Sequence, residues 1–256
     1  MSDDIILFRF HKDIEQCKHN LLLLKQLNPS TPIYGIGEHI DGIEELYDSG
    51  LDDLYVIDNK EDRWKWLNGD LVVSDWYRNQ GVNISFNKAY LVEWDMLFTK
   101  PLNEIYPHIN ANSIGLTGVI PLTDAKKYEW DWVTGKTIDL VNYLKQYAEK
   151  TCGQIDAPHA CIFPGTCFTK SFLDDYSSLH DIPEVGNDEL RIGILSNALG
   201  YDVIDNEFYE WKNDHVYRPF NCTNSPVDKQ TITGANQSVF HPVRDSSIYK
   251  ELLRNI

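Results

Sequence analysis

Through its first hundred residues the chain alternates short apolar strands with amphipathic helices, and this alternation admits few folds. IILFRF at 5–10 predicts a buried strand with a charged end. Residues 14–27 place Ile14, Cys17, Leu21 and Leu24 on one helical face, and Asn28-Pro29 ends that helix. PIYGIGE at 32–38 and DDLYVID at 52–58 predict the second and third strands, with a short helix in GIEELYDSG closed by Gly50. One or two helices follow over 61–80, broken near Asn68-Gly69. AYLVEWDMLF at 89–98 predicts the fourth strand, stopped by Pro101. Strands and helices in this order predict an α/β domain with a mostly parallel, Rossmann-like central sheet flanked by helices. Such sheets bind ligands at the carboxyl ends of their strands.

Beyond residue 101 the pattern loosens. SIGLTGVI at 113–120 predicts a strand and residues 137–149 a helix. ACIFPGTCFTKSFLDDY at 160–176 predicts a strand, a turn, and a second strand or short helix. NDELRIGILSNALGY at 187–201 predicts an amphipathic helix ended by Gly200, and a last helix covers 246–254. With no internal repeat or linker, the expectation is a single domain over 1–256.

Composition narrows the function. Hydrophobic residues make up 42% of the chain, as in an ordinary globular protein. A net charge of -16 offers no basic stripe for a nucleic acid. The five cysteines are odd in number and lack C-x-x-C spacing, which predicts reduced thiols in a cytoplasmic protein. No signal peptide is expected, because acidic residues precede a short apolar run. No apolar run approaches the roughly 20 residues of a membrane span. The sequons at Asn83, Asn221 and Asn236 are read as chance matches.

Glu93 and Asp95 interrupt the apolar run of AYLVEWDMLF two positions apart, a spacing that on a strand turns both carboxylates to one face. Burying a carboxylate without a partner costs several kcal/mol or more, so the chain must supply a partner. Two readings stand on spacing alone. The pair holds a hard divalent cation, which prefers oxygen ligands, or it makes a buried ion pair or a sheet-edge charge.

A four-strand α/β unit followed by an acid-x-acid motif at the end of an apolar strand resembles the GT-A fold glycosyltransferases. Glu93-Trp94-Asp95 matches the E-x-D form of their D-x-D motif, with Glu where Asp is commoner. CFTKSFLDD at 167–175, NDELRIGILSNALGY and VFHPVR at 239–244 resemble further landmarks in the expected order, over roughly residues 5–244.

The resemblance implies a nucleotide-binding half over 1–101 and an acceptor-binding half over 102–256. It implies Mn or Mg held by Glu93, Asp95 and His241 on the diphosphate of a nucleotide-sugar, with UDP the default. It implies Asp188 or Glu189, with Asp188 favoured, as the base that deprotonates an acceptor hydroxyl in an inverting reaction. Donor contacts fall to Phe8, Arg9, His11, Asp75, Arg78 and Glu93. The acceptor, a saccharide or other hydroxyl compound, would meet Trp130, Trp132 and Gly165.

Each residue also has a plainer role. Phe8 is a core residue of an alternating strand, His241 a packing histidine, and Asp188 a helix cap. Asp75 and Arg78 make an i, i+3 surface pair, and the tryptophans pack a core. Two other enzyme classes fit less well. A sugar-1-phosphate nucleotidyltransferase would need a Gly-rich loop after the first strand, where HKDIEQCKHN has no glycine. A phosphohydrolase would need an acidic cluster there, where FRFHKD offers only Asp13. A catalytically degenerate binding protein of the same fold is the non-enzyme alternative, and oligomeric state is left open.

Overall fold

The structure is a computed structural model that describes residues 3–57, 60–134, 137–153, 155, 157–211, 219–222 and 225–255. In chain order the elements are β1 (Ile5–Arg9), α1 (Ile14–Leu27), β2 (Ile33–Gly37), α2 (Glu45–Asp48), β3 (Asp53–Val56), α3 (Asp62–Leu67), α4 (Gly69–Asn79), β4 (Lys88–Glu93), β5 (Leu97–Phe98) and α5 (Leu102–Ile105). Then come β6 (Ser113–Pro121), α6 (Ile138–Cys152), β7 (His159–Thr169), α7 (Lys170–Ser178), α8 (Asp188–Ala198), β8 (Asp202–Asp205), α9 (Lys229–Gly234), β9 (Val239–Phe240) and α10 (Ser246–Asn255). This is a mixed α/β fold with mainly parallel strands flanked by helices, as the early alternation predicts. No helix of the described residues is long and apolar enough to cross a membrane.

Contacts group the chain into two compact units, 1–58 with 86–107 and 216–256, and 59–85 with 108–215. In the first unit β1, β2, β3 and β4 are parallel in the order β3-β2-β1-β4. The chain moves outward from β1 through β2 to β3, then returns to the other side of β1 for β4. The sheet therefore has its topological switch point between β1 and β4. The apolar residues of β1 and β4 are almost wholly buried, as strands covered on both faces must be.

Helix α1 begins at Asp13, whose carboxylate accepts from the Gln16 amide at 3.1 Å. It ends at Asn28, whose side chain donates to the Leu24 carbonyl and accepts from the Leu102 amide at 2.9 Å. A Cβ at Gly37 would stand 2.3 Å from the Phe10 ring, so glycine is what lets that ring lie against β2.

In the second unit β6 pairs antiparallel with β7 and parallel with β8. The sequence reading did not identify β8, because DVID is short and half-buried. The β6–β7 register is irregular. Gly165 sits there at φ +81°, Thr117 donates to the Pro164 carbonyl and Asn206 to the Gly165 carbonyl. Residues 160–176 resolve into one long strand running directly into α7, with Thr169 as the cap that accepts from Phe172.

Candidate functional site

The carboxyl ends of β1 and β4 build a charged cluster in the first unit. Parallel register sets Arg9 directly beside Glu93, and Arg9 Nη1 lies 3.1 Å from Glu93 Oε1. Strand β4 stops at Glu93. The Trp94 amide still donates to the Arg9 carbonyl, and the Met96 amide then donates back to the Glu93 carbonyl. Asp95 therefore lies in a turn. The two-residue strand period does not extend to it, although both acids reach one cluster.

The late segment closes over that turn. Strand β9 pairs antiparallel with β5, and the Val243 amide donates to the Asp95 carbonyl at 2.7 Å. His241 Nε2 then lies 3.4 Å from Asp95 Oδ1, and Arg244 Nε 3.2 Å from Asp95 Oδ2. Two carboxylates thus meet two guanidiniums and an imidazole, all within the first unit.

The electrostatics follow from burial and these partners. Burial pushes the Glu93 carboxyl above its ordinary range, and Arg9 only partly offsets it. Burial pushes Asp95 the same way, but His241 and Arg244 outweigh it and hold Asp95 below its ordinary value. Burial pulls His241 down, and the hydrogen bond and charge of Asp95 more than restore it, so His241 stands above its ordinary value.

This donor set suits a divalent cation in kind. His241 Nδ1 lies 2.7 Å from the Asn221 carbonyl, an acceptor only, so Nδ1 carries the proton. Nε2 faces Asp95 and donates to it when the ring is protonated, and on losing that proton it would be the nitrogen available to a cation. Among the described residues no group of three or more His, Cys, Asp or Glu side chains is gathered to hold a metal. Glu93, engaged by Arg9, stands next to the pair of Asp95 and His241.

The other first-unit candidates divide. Phe8 is fully buried, beneath the surface a base would need. His11 is exposed, with its ring edge-on to Trp94 at 5.6 Å.

The remaining candidates belong to the second unit. Asp75 and Arg78 face one another at 3.8 Å on α4, and Arg78 also donates to the Ser177 carbonyl. Asn187 caps α8 by accepting from Leu190, and its amide donates to Glu189 Oε2 at 2.9 Å. Asp188 is buried and accepts from the amides of Gly69 and Glu189. Glu189 is less enclosed. Burial and the neighbouring Asp188 charge push its carboxyl up to about 8.

Trp130 and Trp132 are half-buried. They do not lie on an extended strand, because residues 131–133 form a 3-10 turn. Trp130 instead stands edge-on to Trp211 at 5.7 Å, a ring also contacted by Tyr128 and Tyr209. Gly165 marks the irregularity of β7 and lies under Phe208.

Three residues the sequence reading passed over organise these elements. Arg191 makes two hydrogen bonds to Asp70, at 2.9 and 2.6 Å, and Tyr176 donates to the same carboxylate at 2.5 Å, all fully buried. The available signal was an arginine on the apolar face of the 187–201 helix. Arg244 likewise stood in VFHPVR, one turn of chain from His241.

The sequence matches no family model and no curated protein. The solved structures to which the chain is similar include glycosyltransferases. The galactosyltransferase LgtC, in complex with donor and acceptor sugar analogs, is 11% identical with a TM-score of 0.45, over 98% of this chain and 96% of that one. The bifunctional glycosyltransferase WbbM is 10% identical with a TM-score of 0.43, over 78% of this chain. The glycosyltransferase GlyE of Streptococcus pneumoniae TIGR4 is 11% identical with a TM-score of 0.38, over 79% of this chain. This chain spans 38% of the length of WbbM and 45% of that of GlyE.

Proposed function

We propose that this chain is a catalytic domain that transfers a sugar from a nucleotide-diphosphate sugar to an acceptor hydroxyl, with Mn2+ or Mg2+ on the diphosphate. The observation that supports this best is a position. Arg9, Glu93 and Asp95 lie at the carboxyl ends of β1 and β4, at the switch point of a parallel sheet, with His241 and Arg244 folded against them. Nucleotides bind α/β sheets at that place.

Asp95 and His241 would hold the cation, with Glu93 beside them. When bound, it would offset charge developing on the departing diphosphate. Arg244 reaches Asp95 through Nε, and its Nη donors would serve phosphate oxygens. Arg9 holds Glu93 in place and adds positive charge to a chain of net -16. In the second unit, Glu189 is the more available of the two acids that the resemblance implies as base. Asp188 accepts from backbone amides, while Glu189 is half-buried and its burial raises its proton affinity.

The test is a thermal-shift panel of nucleoside diphosphates with and without Mn2+, on wild type and Asp95→Ala. A Mn2+-dependent rise with one nucleotide, absent in the variant, supports the reading and identifies the base. A well-folded wild type that no nucleotide stabilises at millimolar concentration overturns it in favour of the degenerate binding protein.

A further inference from the structure

Two amide side chains on α1 do something its apolar face does not require. Gln16 and Asn20, one helical turn apart, are both fully buried. Gln16 Nε2 donates to the Trp94 carbonyl at 3.4 Å and to the Val243 carbonyl at 2.7 Å. Asn20 Nδ2 donates to the carbonyls of Trp94 at 3.1 Å and Met96 at 2.9 Å. The four hydrogens of two primary amides thus meet four backbone contacts. Trp94 and Met96 flank Asp95 in sequence, and Val243 lies between His241 and Arg244.

We infer that Gln16, supported by Asn20, is a positioning residue that sets the spacing between Asp95 and His241. The inference rests on the metal-binding reading above. Gln16 bridges two segments otherwise far apart in sequence. The Val243 amide donates to the Asp95 carbonyl on one side, and Gln16 joins the Val243 and Trp94 carbonyls on the other. The Trp94 side of the Asp95 turn is thereby tied through Gln16 to the segment that carries His241, and Asn20 holds its Met96 side to the same helix. Leucine at these positions would fill the same space and leave three carbonyls with fewer donors. It would also spare the helix Gln16 Oε1 and Asn20 Oδ1, which have no protein partner among the described residues. A helix selected for packing alone would not keep both amides.

The second coordination sphere of a metal site changes affinity without touching the ion, and this predicts a measurable split. Mn2+ binding is read by electron paramagnetic resonance, alone and with UDP, on wild type, Gln16→Met, Asn20→Met and the control Leu24→Val. Leu24 is buried on the same helix and bonds neither segment through its side chain. Gln16→Met is expected to weaken Mn2+ binding about tenfold or more, and Leu24→Val to leave it unchanged for a comparable fall in melting temperature. Asn20→Met removes only the bonds to Trp94 and Met96, and serves if Gln16→Met does not fold. Wild-type affinity in a folded amide variant overturns the inference, as does an equal loss in Leu24→Val. A folded wild type that binds no Mn2+ is a different outcome: it overturns the metal reading itself and this inference with it.

Discussion

His241 Nε2 stands 3.4 Å from Asp95 Oδ1 while its Nδ1 faces the Asn221 carbonyl at 2.7 Å. The carbonyl keeps a proton on Nδ1, so Nε2 is the nitrogen turned to the carboxylate, and it donates there when the ring is protonated. Wild type with Mn2+ and UDP at about a hundred times their dissociation constant should melt about 5–10 °C higher than the unliganded protein. Asp95→Ala and His241→Ala should each abolish that rise, measured by differential scanning fluorimetry. A rise preserved in His241→Ala would remove this histidine from the site.

Arg244 is a third exposed at its side chain and reaches Asp95 through Nε. Its remaining donors suit an anion. Arg244→Gln should weaken nucleoside diphosphate binding about tenfold, the scale of one lost charge-assisted hydrogen bond. The unliganded melting temperature should change little, because His241 still holds Asp95. Isothermal titration calorimetry of the two proteins reads the ratio directly.

Asp70 and Arg191 form a fully buried pair, completed by the Tyr176 hydroxyl and the Leu67 carbonyl. Removing one partner strands a charge out of water. Asp70→Ala or Arg191→Ala should destabilise the protein by about 3–5 kcal/mol. The double variant Asp70→Leu with Arg191→Met should lose less than either, since neither charge remains. Denaturant unfolding of the three variants decides it.

Glu189 predicts a pH dependence of stability. Its carboxyl is raised from 4.5 to about 8 in the folded chain. Between those values the folded state holds a proton that the unfolded state has released. Its contribution is thus fully present below about pH 4.5 and is lost as pH rises through about 8. Wild type should lose melting temperature over that window relative to Glu189→Gln, and the two curves should run parallel below pH 4. Parallel curves throughout would show that Glu189 ionises normally.

Neighbouring residues are enough to read the elements of this protein that rest on local pattern. Ile14, Cys17, Leu21 and Leu24 marked a helical face, and Asn28-Pro29 its end. The apolar runs at 5–10 and 89–98 marked the buried strands, because period and burial are written in neighbouring residues. Glu93 and Asp95 were legible as acids at a strand end because an apolar run makes any charge conspicuous.

Tertiary structure decided what those charges meet. Arg9 faces Glu93 only through the parallel register of β1 and β4, and no local pattern encodes the pairing of residues 84 apart. Gln16 reads as an ordinary polar residue on a helix until the chain brings Val243 against it. Arg191 and Asp70 find each other across 121 residues. Local periodicity decides which face of an element is buried, whereas pairing between distant polar groups is settled only when the packed chain must satisfy each buried charge and carbonyl.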